Sequence, residues 1–218
     1  MERLKVLPVR EQVAAVLRKA IFSNELPIGK ELTQEEIANQ LGISRMPVRE
    51  AFQILERDGL LSLKNNRSAV VTGLTKEDLM DHYIIRAMLE GEAAARASMH
   101  PHKHEEILVA HQNVEIAVGS KNVSDYISAN GAFHRSIWEA SESTRIITLL
   151  KQLWNGLPPQ LADFLPEQIE KSVIEHSQIL KAIQSGSPDE ARRTMEAHVK
   201  RSMTDFLNQH SDKFTSDK

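Results

Sequence analysis

Residues 33–61 read TQEEIANQLGISRMPVREAFQILERDGLL, and few folds accept that order of caps, apolar stripes and breakers. Thr33 with Glu36 three residues on is a capping box, in which each side chain satisfies a backbone N–H at the start of a helix. Ile37, Ala38 and Leu41 give that helix an apolar face, and Gly42 supplies the left-handed residue that ends it. Ser44 caps a second helix, where Pro47 is tolerated because it falls in the first turn. Val48, Ala51, Phe52 and Leu55 share its buried side. Arg45 and Arg49 lie one turn apart on the flank, while Met46, Gln53 and Arg57 point away. The pattern predicts a helix-turn-helix whose second helix begins with arginines, the arrangement that enters the major groove of DNA N-terminus first.

A helical hairpin with no ligand shows the same caps and stripes, so the motif alone leaves both readings open. The next dozen residues favour DNA. Residues 60–64 and 68–72 predict a two-stranded ribbon turning at Asn65-Asn66, since Asn tolerates positive φ. Lys64 and Arg67 flank its tip. A basic hairpin after a helix-turn-helix is a wing that reaches phosphate or the minor groove. The expected DNA-facing set is Thr33, Ser44, Arg45, Met46, Pro47, Arg49, Lys64 and Arg67.

A formal net charge of −3 argues at first against a nucleic-acid partner. Its distribution is modestly asymmetric and supports one. Residues 1–73 hold 11 Lys/Arg against 9 Asp/Glu, a net of +2, and the remainder carries −5. The chain thus reads as a DNA-binding domain over residues 1–73, a helical body over 74–212 and a polar tail over 213–218. Without cysteine it has neither disulfides nor thiolate metal sites. Its apolar runs are far shorter than a membrane span, and the first residues lack the apolar region of a secretory leader. A reducing bacterial cytoplasm is the expected compartment.

After Thr72 the pattern is helical throughout. Helices are expected over about 75–99, 102–118, 123–139, 143–156, 166–184 and 188–208, separated by breakers such as Ser185-Gly186-Ser187-Pro188. Six helices with short connections predict an antiparallel bundle, so the fold class is mainly α, a winged helix-turn-helix followed by that bundle.

Histidine placement in the body carries chemistry. Asn130 and His134 are i, i+4 and stack on one helix face. His176 lies eleven residues before Ser187 and His198 eleven after it, so the two are level in an antiparallel hairpin turning there. If both faces point inward and a third helix brings Asn130 and His134 to the same level, four donors converge. Imidazoles and an amide oxygen suit a borderline divalent ion, Zn²⁺ or Ni²⁺. Three buried histidines satisfying one another and nearby carboxylates is the competing reading. The run HPHKH at 100–104 fits neither helical nor zinc spacing and is expected to be a solvated loop.

The motif LTQEEIANQLGISRMPVREAFQILERDGLL resembles the winged-helix domain of GntR-type bacterial transcription regulators. IIRAMLEGEAAARA, NGAFHRSIWEAS, EHSQILKAIQSGSPDEA and MEAHVKRSM resemble the FCD ligand-binding domain of that family's FadR/VanR branch. The resemblance implies a homodimer on double-stranded DNA with an inverted-repeat operator, acting as a repressor released by a small organic acid. It implies a divalent metal, Zn²⁺ with Ni²⁺ or Mn²⁺ as alternatives, held by His134, His176, His198 and Asn130. The family usually has Asp at that fourth position, so Asn130 is a departure that weakens the site. The resemblance also points Arg86 into the bundle as the effector's carboxylate clamp. Residues alone would read Arg86 as one half of a surface i, i+4 pair with Glu90. A metal-dependent hydrolase carrying a DNA-binding appendage is the alternative function. It lacks an H-E-x-x-H motif and an evident general base. A helical interaction domain with no small ligand is a third.

Overall fold

The computed structural model describes residues 8–64, 67–120, 122–156 and 166–209. It divides into two compact units, Met1–Thr75 and Lys76–Lys218.

In the first unit, α1 (Val9–Phe22) buries Val13, Ala14, Leu17 and Ile21 against α3 (Arg45–Arg57), which contributes Val48, Ala51, Phe52 and Leu55. Arg18 ties the two helices together. Its Nη2 donates to Asp58 Oδ2 at 2.5 Å just past the end of α3. Between them α2 (Gln34–Leu41) starts with the predicted capping box. Glu36 N donates to Thr33 Oγ1 and Thr33 N to Glu36 Oε2, both at 3.2 Å. It stops at Gly42, whose φ of 65° is the left-handed conformation that lets the chain turn at once into α3.

Three expectations are corrected in this unit. Leu41 does not join the apolar face of α2; it is exposed, because the helix ends there and only Ile37 and Ala38 are buried. Ser44 occupies the cap position of α3 but makes no side-chain capping bond, so its hydroxyl stays open at the surface. The wing is a three-stranded sheet rather than a two-stranded ribbon. β1 (Glu31–Thr33), β2 (Leu61–Leu63) and β3 (Ser68–Val71) are antiparallel, with β3 in the centre. Leu32 opposite Ala69 and Leu61 opposite Val71 bury the inner face of the sheet. Adding β1 covers an edge of β3 whose N–H and C=O groups would otherwise be unpaired. The expected Asn65-Asn66 turn lies outside the described residues. Beside it, Arg67 takes a φ of 62° and its carbonyl accepts from Gln34 N at 3.0 Å, tying the wing to the start of α2.

The second unit is the expected helical bundle: α4 (Lys76–Ser98), α5 (His104–Gly119), α6 (Val123–Ala140), α7 (Thr144–Gly156), α8 (Pro166–Gln184) and α9 (Pro188–Gln209). α4 packs along α9, α5 along α6, and α8 along α9 and α5. Its alanine-rich second half lets α4 approach closely. A Cβ on Gly91 would lie 2.8 Å from Glu196 Cγ and 3.3 Å from the Arg192 carbonyl, so a glycine is needed where α4 crosses α9. Ile107, Val114, Phe133, Ile137, Ile179, Ile183 and Met195 fill the centre, and Trp138 with Ile146 and Leu150 seats α7. Between α8 and α9, Gly186 turns the chain at a φ of 70°.

Candidate nucleic-acid interface and candidate metal centre

In the first unit, the exposed flank of α3 and the wing enclose a concavity of about 500 Å³. Arg45, Met46 and Arg49 line it from the helix, Lys64 from just past β2 and Arg67 from just before β3. None of these side chains is needed by the core, which takes the opposite face of α3. Among the described residues their one ion pair is Arg45 Nη1 to Glu35 Oε2 at 3.9 Å, between two exposed groups, and such a pair holds weakly in water. The cations are therefore available to an anionic partner. The remaining expected residues sit differently. Thr33 spends its hydroxyl on the capping box, Ser44 stands exposed at the head of α3, and half-buried Pro47 shapes the first turn without lining the concavity. Sequence reasoning left Gln34, Leu63 and Ser68 out of this surface and placed Gln53 only on the outer face of α3; all four line it. Gln34 was hidden because the cap signal at Thr33 says nothing of where its neighbour points once the wing folds back.

In the second unit, α6, α8 and α9 bring His134, His176 and His198 together. Their donor nitrogens all lie within 4.8 Å of one another. Ring centroids are separated by 5.4 Å for His134 and His176, 5.3 Å for His134 and His198, and 4.8 Å for His176 and His198. All three are buried, as is Asn130 one turn before His134. The level placement of His176 and His198 about Ser187 thus holds in three dimensions.

The protonation pattern is set by two carboxylates. Glu90 on α4, wholly buried, accepts from His134 Nδ1 at 2.5 Å and Trp138 Nε1 at 3.0 Å through Oε2. Its Oε1 accepts from Arg86 Nε at 2.5 Å. Burial disfavours its charge, but the positive charges of Arg86 and His134 and the donated hydrogen bonds outweigh that and hold the carboxyl well below the usual range. Glu175 on α8 accepts from His198 Nδ1 at 2.6 Å and from Arg201 Nε at 2.7 Å. Burial pushes it up; the bonds from His198 and Arg201 more than offset this and leave it lowered. Desolvation pushes His198 down to about 4 and His176 well below the ordinary histidine value, so both are neutral near pH 7. An ionised carboxylate can only accept, so the ring nitrogen facing it carries the proton and the other keeps its lone pair.

His176 has neither arrangement. Both of its ring nitrogens are buried without a hydrogen-bond partner. An unpaired buried polar atom costs about 1–3 kcal/mol, and a pair of them on one ring calls for a partner. The competing reading, in which the histidines satisfy one another, fails on this residue. Three buried imidazoles, one of them with both ring nitrogens unpartnered, fit a borderline divalent cation. Among the described residues no other cluster of three such side chains meets the same geometry.

Glu90 and Glu175 put two anions one hydrogen bond behind the imidazoles. Two further expectations change here. The Arg86–Glu90 pair exists, but it is buried rather than a surface pair, and the guanidinium carbon lies 4.4 Å from the Trp154 ring centroid. The HPHKH segment is not a free loop. It holds a short 3-10 turn, with His100 Nδ1 against the Ala140 carbonyl at 2.9 Å and His104 Nε2 against the Ala97 carbonyl at 3.0 Å. Glu175, next to His176 in sequence, serves His198 instead, as expected where adjacent helical side chains diverge by about 100°.

Comparison with known proteins gives these two surfaces a context. Residues 9–71 match the family of bacterial regulatory proteins named gntR, and residues 81–201 match the FCD domain. A protein of Paenarthrobacter nicotinovorans named "Probable D-xylose utilization operon transcriptional repressor" is 30% identical over 204 residues, 91% of this chain and 88% of that one. The HTH-type transcriptional repressor RspR of Escherichia coli K12 is 24% identical over 221 residues, 96% of this chain and 95% of its own length. Among solved structures, E. coli McbR/YncC superposes with a TM-score of 0.70 at 22% identity, covering 94% of this chain and all of that one.

Proposed function

Because the chain belongs to the GntR family of bacterial transcription regulators, with an FCD domain as its body, we propose that a divalent metal and a small carboxylate bound in that body set its affinity for operator DNA. The reading is a ligand-responsive repressor that acts as a homodimer. A two-fold dimer matches an inverted repeat, and the recognition helix supplies Arg45, Met46 and Arg49 to base edges while Lys64 and Arg67 hold phosphate. The repressor sense is taken from the relatives named as repressors. No helix among the described residues is long and apolar enough to cross a membrane, which agrees with a cytoplasmic place beside its operator.

The observation that carries the metal is the orphaned pair of nitrogens on His176. His134, His176 and His198 would hold the ion, with Asn130 as the weaker fourth donor and Zn²⁺, Ni²⁺ or Mn²⁺ as candidates. The ion supplies positive charge and an open position to an anionic ligand. Arg86 is the other cation: Glu90 takes its Nε, and no described residue bonds the Nη atoms. Those atoms would hold a carboxylate effector.

Metal analysis of protein purified without an affinity tag is the first test, followed by loading with each ion. Uptake of one equivalent is expected; a protein that takes up none of the three ions overturns the metal reading. Operator binding titrated with simple organic acids then tests the effector. Arg86→Ala is expected to abolish the response and leave operator binding intact. A variant that responds like wild type places the effector elsewhere.

The hydrolase alternative gains nothing from the geometry. Both carboxylates that reach the cluster already accept from histidine and arginine, so neither is placed as a free base.

A further inference from the structure

Two side-chain chains of the same composition converge on the histidine cluster. One runs Arg86 to Glu90 to His134, with Trp138 as an added donor. The other runs Arg201 to Glu175 to His198, with Ser172 and Asp205 also bound to Arg201. In each, arginine Nε holds one carboxylate oxygen and histidine Nδ1 the other, the latter at 2.5 and 2.6 Å. They come from different helices, yet both end on Nδ1. His176, between them, has no such support.

We propose that Glu90 and Glu175 are positioning residues of the metal centre, each fixing its histidine as the Nδ1–H tautomer so that Nε2 is the donor offered to the ion. This rests on the reading of the cluster as a metal centre. A free imidazole divides its proton between the two nitrogens and turns about its side-chain bonds. An ionised carboxylate behind Nδ1 removes both freedoms and makes Nε2 more basic. The arginines secure the carboxylates in turn. The order arginine, carboxylate, histidine puts the negative end of each pair next to the cluster and the positive end farther off. Charge that Asn130 lacks as a ligand is therefore supplied from behind two of the imidazoles. The same order separates Glu90 and Glu175 from ligands: both oxygens of each carboxylate are engaged away from the ion.

The test uses the full chain as wild type, Glu90→Gln and Glu175→Gln, purified without a tag. Zn²⁺ affinity is measured by competition with a chelator, and the ¹⁵N shifts of the histidine rings are read in the metal-free proteins. In wild type, His134 and His198 are expected as Nδ1–H tautomers. Each variant is expected to bind Zn²⁺ about 10–100-fold more weakly. Glu90→Gln is expected to disturb the tautomer of His134 alone and Glu175→Gln that of His198 alone. Variants that bind Zn²⁺ as tightly as wild type, or that leave both tautomers unchanged, overturn the positioning role while the metal centre stands. A wild type that binds no Zn²⁺ overturns both. Should Glu90→Gln fail to fold, Glu175→Gln decides the matter by itself, since that carboxylate is 24% exposed and its loss is tolerable.

Discussion

The winged-helix unit and the helical body both carry cationic side chains away from their apolar cores, but they keep them in opposite ways. Arg45, Arg49, Lys64 and Arg67 stand at the surface with no strong partner among the described residues. Arg86 and Arg201 are withdrawn into the bundle, each bound to a carboxylate that in turn holds a histidine. On the proposed function, the difference matches the ligands. A DNA duplex brings its own dense negative charge and displaces water over a wide face, so exposed and adjustable cations suit it. A single ion or small acid brings few contacts, and a preorganised, dry site must supply the rest. The first surface should therefore respond to salt and tolerate proton loss or gain nearby. The second should respond to pH and to single-atom changes.

The largest effect that separates the two is expected in acid. His198 titrates near 4 in the folded protein against about 6.5 when unfolded. Between those values the unfolded chain binds the extra proton, so stability is complete above pH 6.5, falls as pH drops towards 4, and levels off below it. The loss amounts to about 3 kcal/mol for this one group. His176 is shifted in the same direction and adds to the loss. Denaturant unfolding of the metal-free protein between pH 7.5 and 4 reads this out; a flat profile through that window would mean that the cluster is open to water. Saturating Zn²⁺ should steepen the profile, because protons and metal compete for the same nitrogens.

Next in size is the recognition helix. Arg49→Ala is expected to cost about 1–3 kcal/mol at the operator, through the loss of a base-reading arginine. Binding isotherms at matched salt measure it, and an unchanged affinity would remove α3 from the major groove.

Much of this contrast is legible in the sequence. The cap at Thr33, the stop at Gly42 and the stripe from Val48 to Leu55 are signals written within a few residues of one another, and local rules read them. His176 and His198 were legible for a related reason: a hairpin of known turn fixes which residues are level. The three-residue strand β1 was not, because Glu31–Thr33 is too short for any alternation to show and forms only against β3. Glu90 was not either. Its partner His134 is 44 residues away, and nothing short of the packing of α4 against α6 tells a buried Glu from an exposed one. A charged residue flanked by Leu89, Gly91 and Ala93 was the one available hint.

Smaller effects sharpen the comparison. Arg67→Ala or Lys64→Ala should weaken binding to all duplexes alike and lower the slope of log affinity against log salt by about 1. A sequence-selective effect of Arg67→Ala would mean that the wing reads bases. Asn130→Asp should tighten Zn²⁺ binding modestly, since the charge it adds is partly supplied already by Glu90 and Glu175. Chelator competition measures this, and weaker binding would place Asn130 outside the coordination shell.

The central claim is a division of labour, in which α3 and the wing read DNA and the buried cluster governs that reading. Fluorescence anisotropy on an operator selected from random duplexes, with Zn²⁺ uptake measured on the same samples of Arg49→Ala and His176→Ala, tests it most directly. Arg49→Ala is expected to take up Zn²⁺ like wild type and lose the operator. His176→Ala is expected to bind the operator as metal-free wild type does, take up no Zn²⁺ and give no response to any carboxylate that moves the Zn²⁺-loaded wild type. A His176→Ala protein that takes up Zn²⁺ normally and responds like wild type would contradict the account.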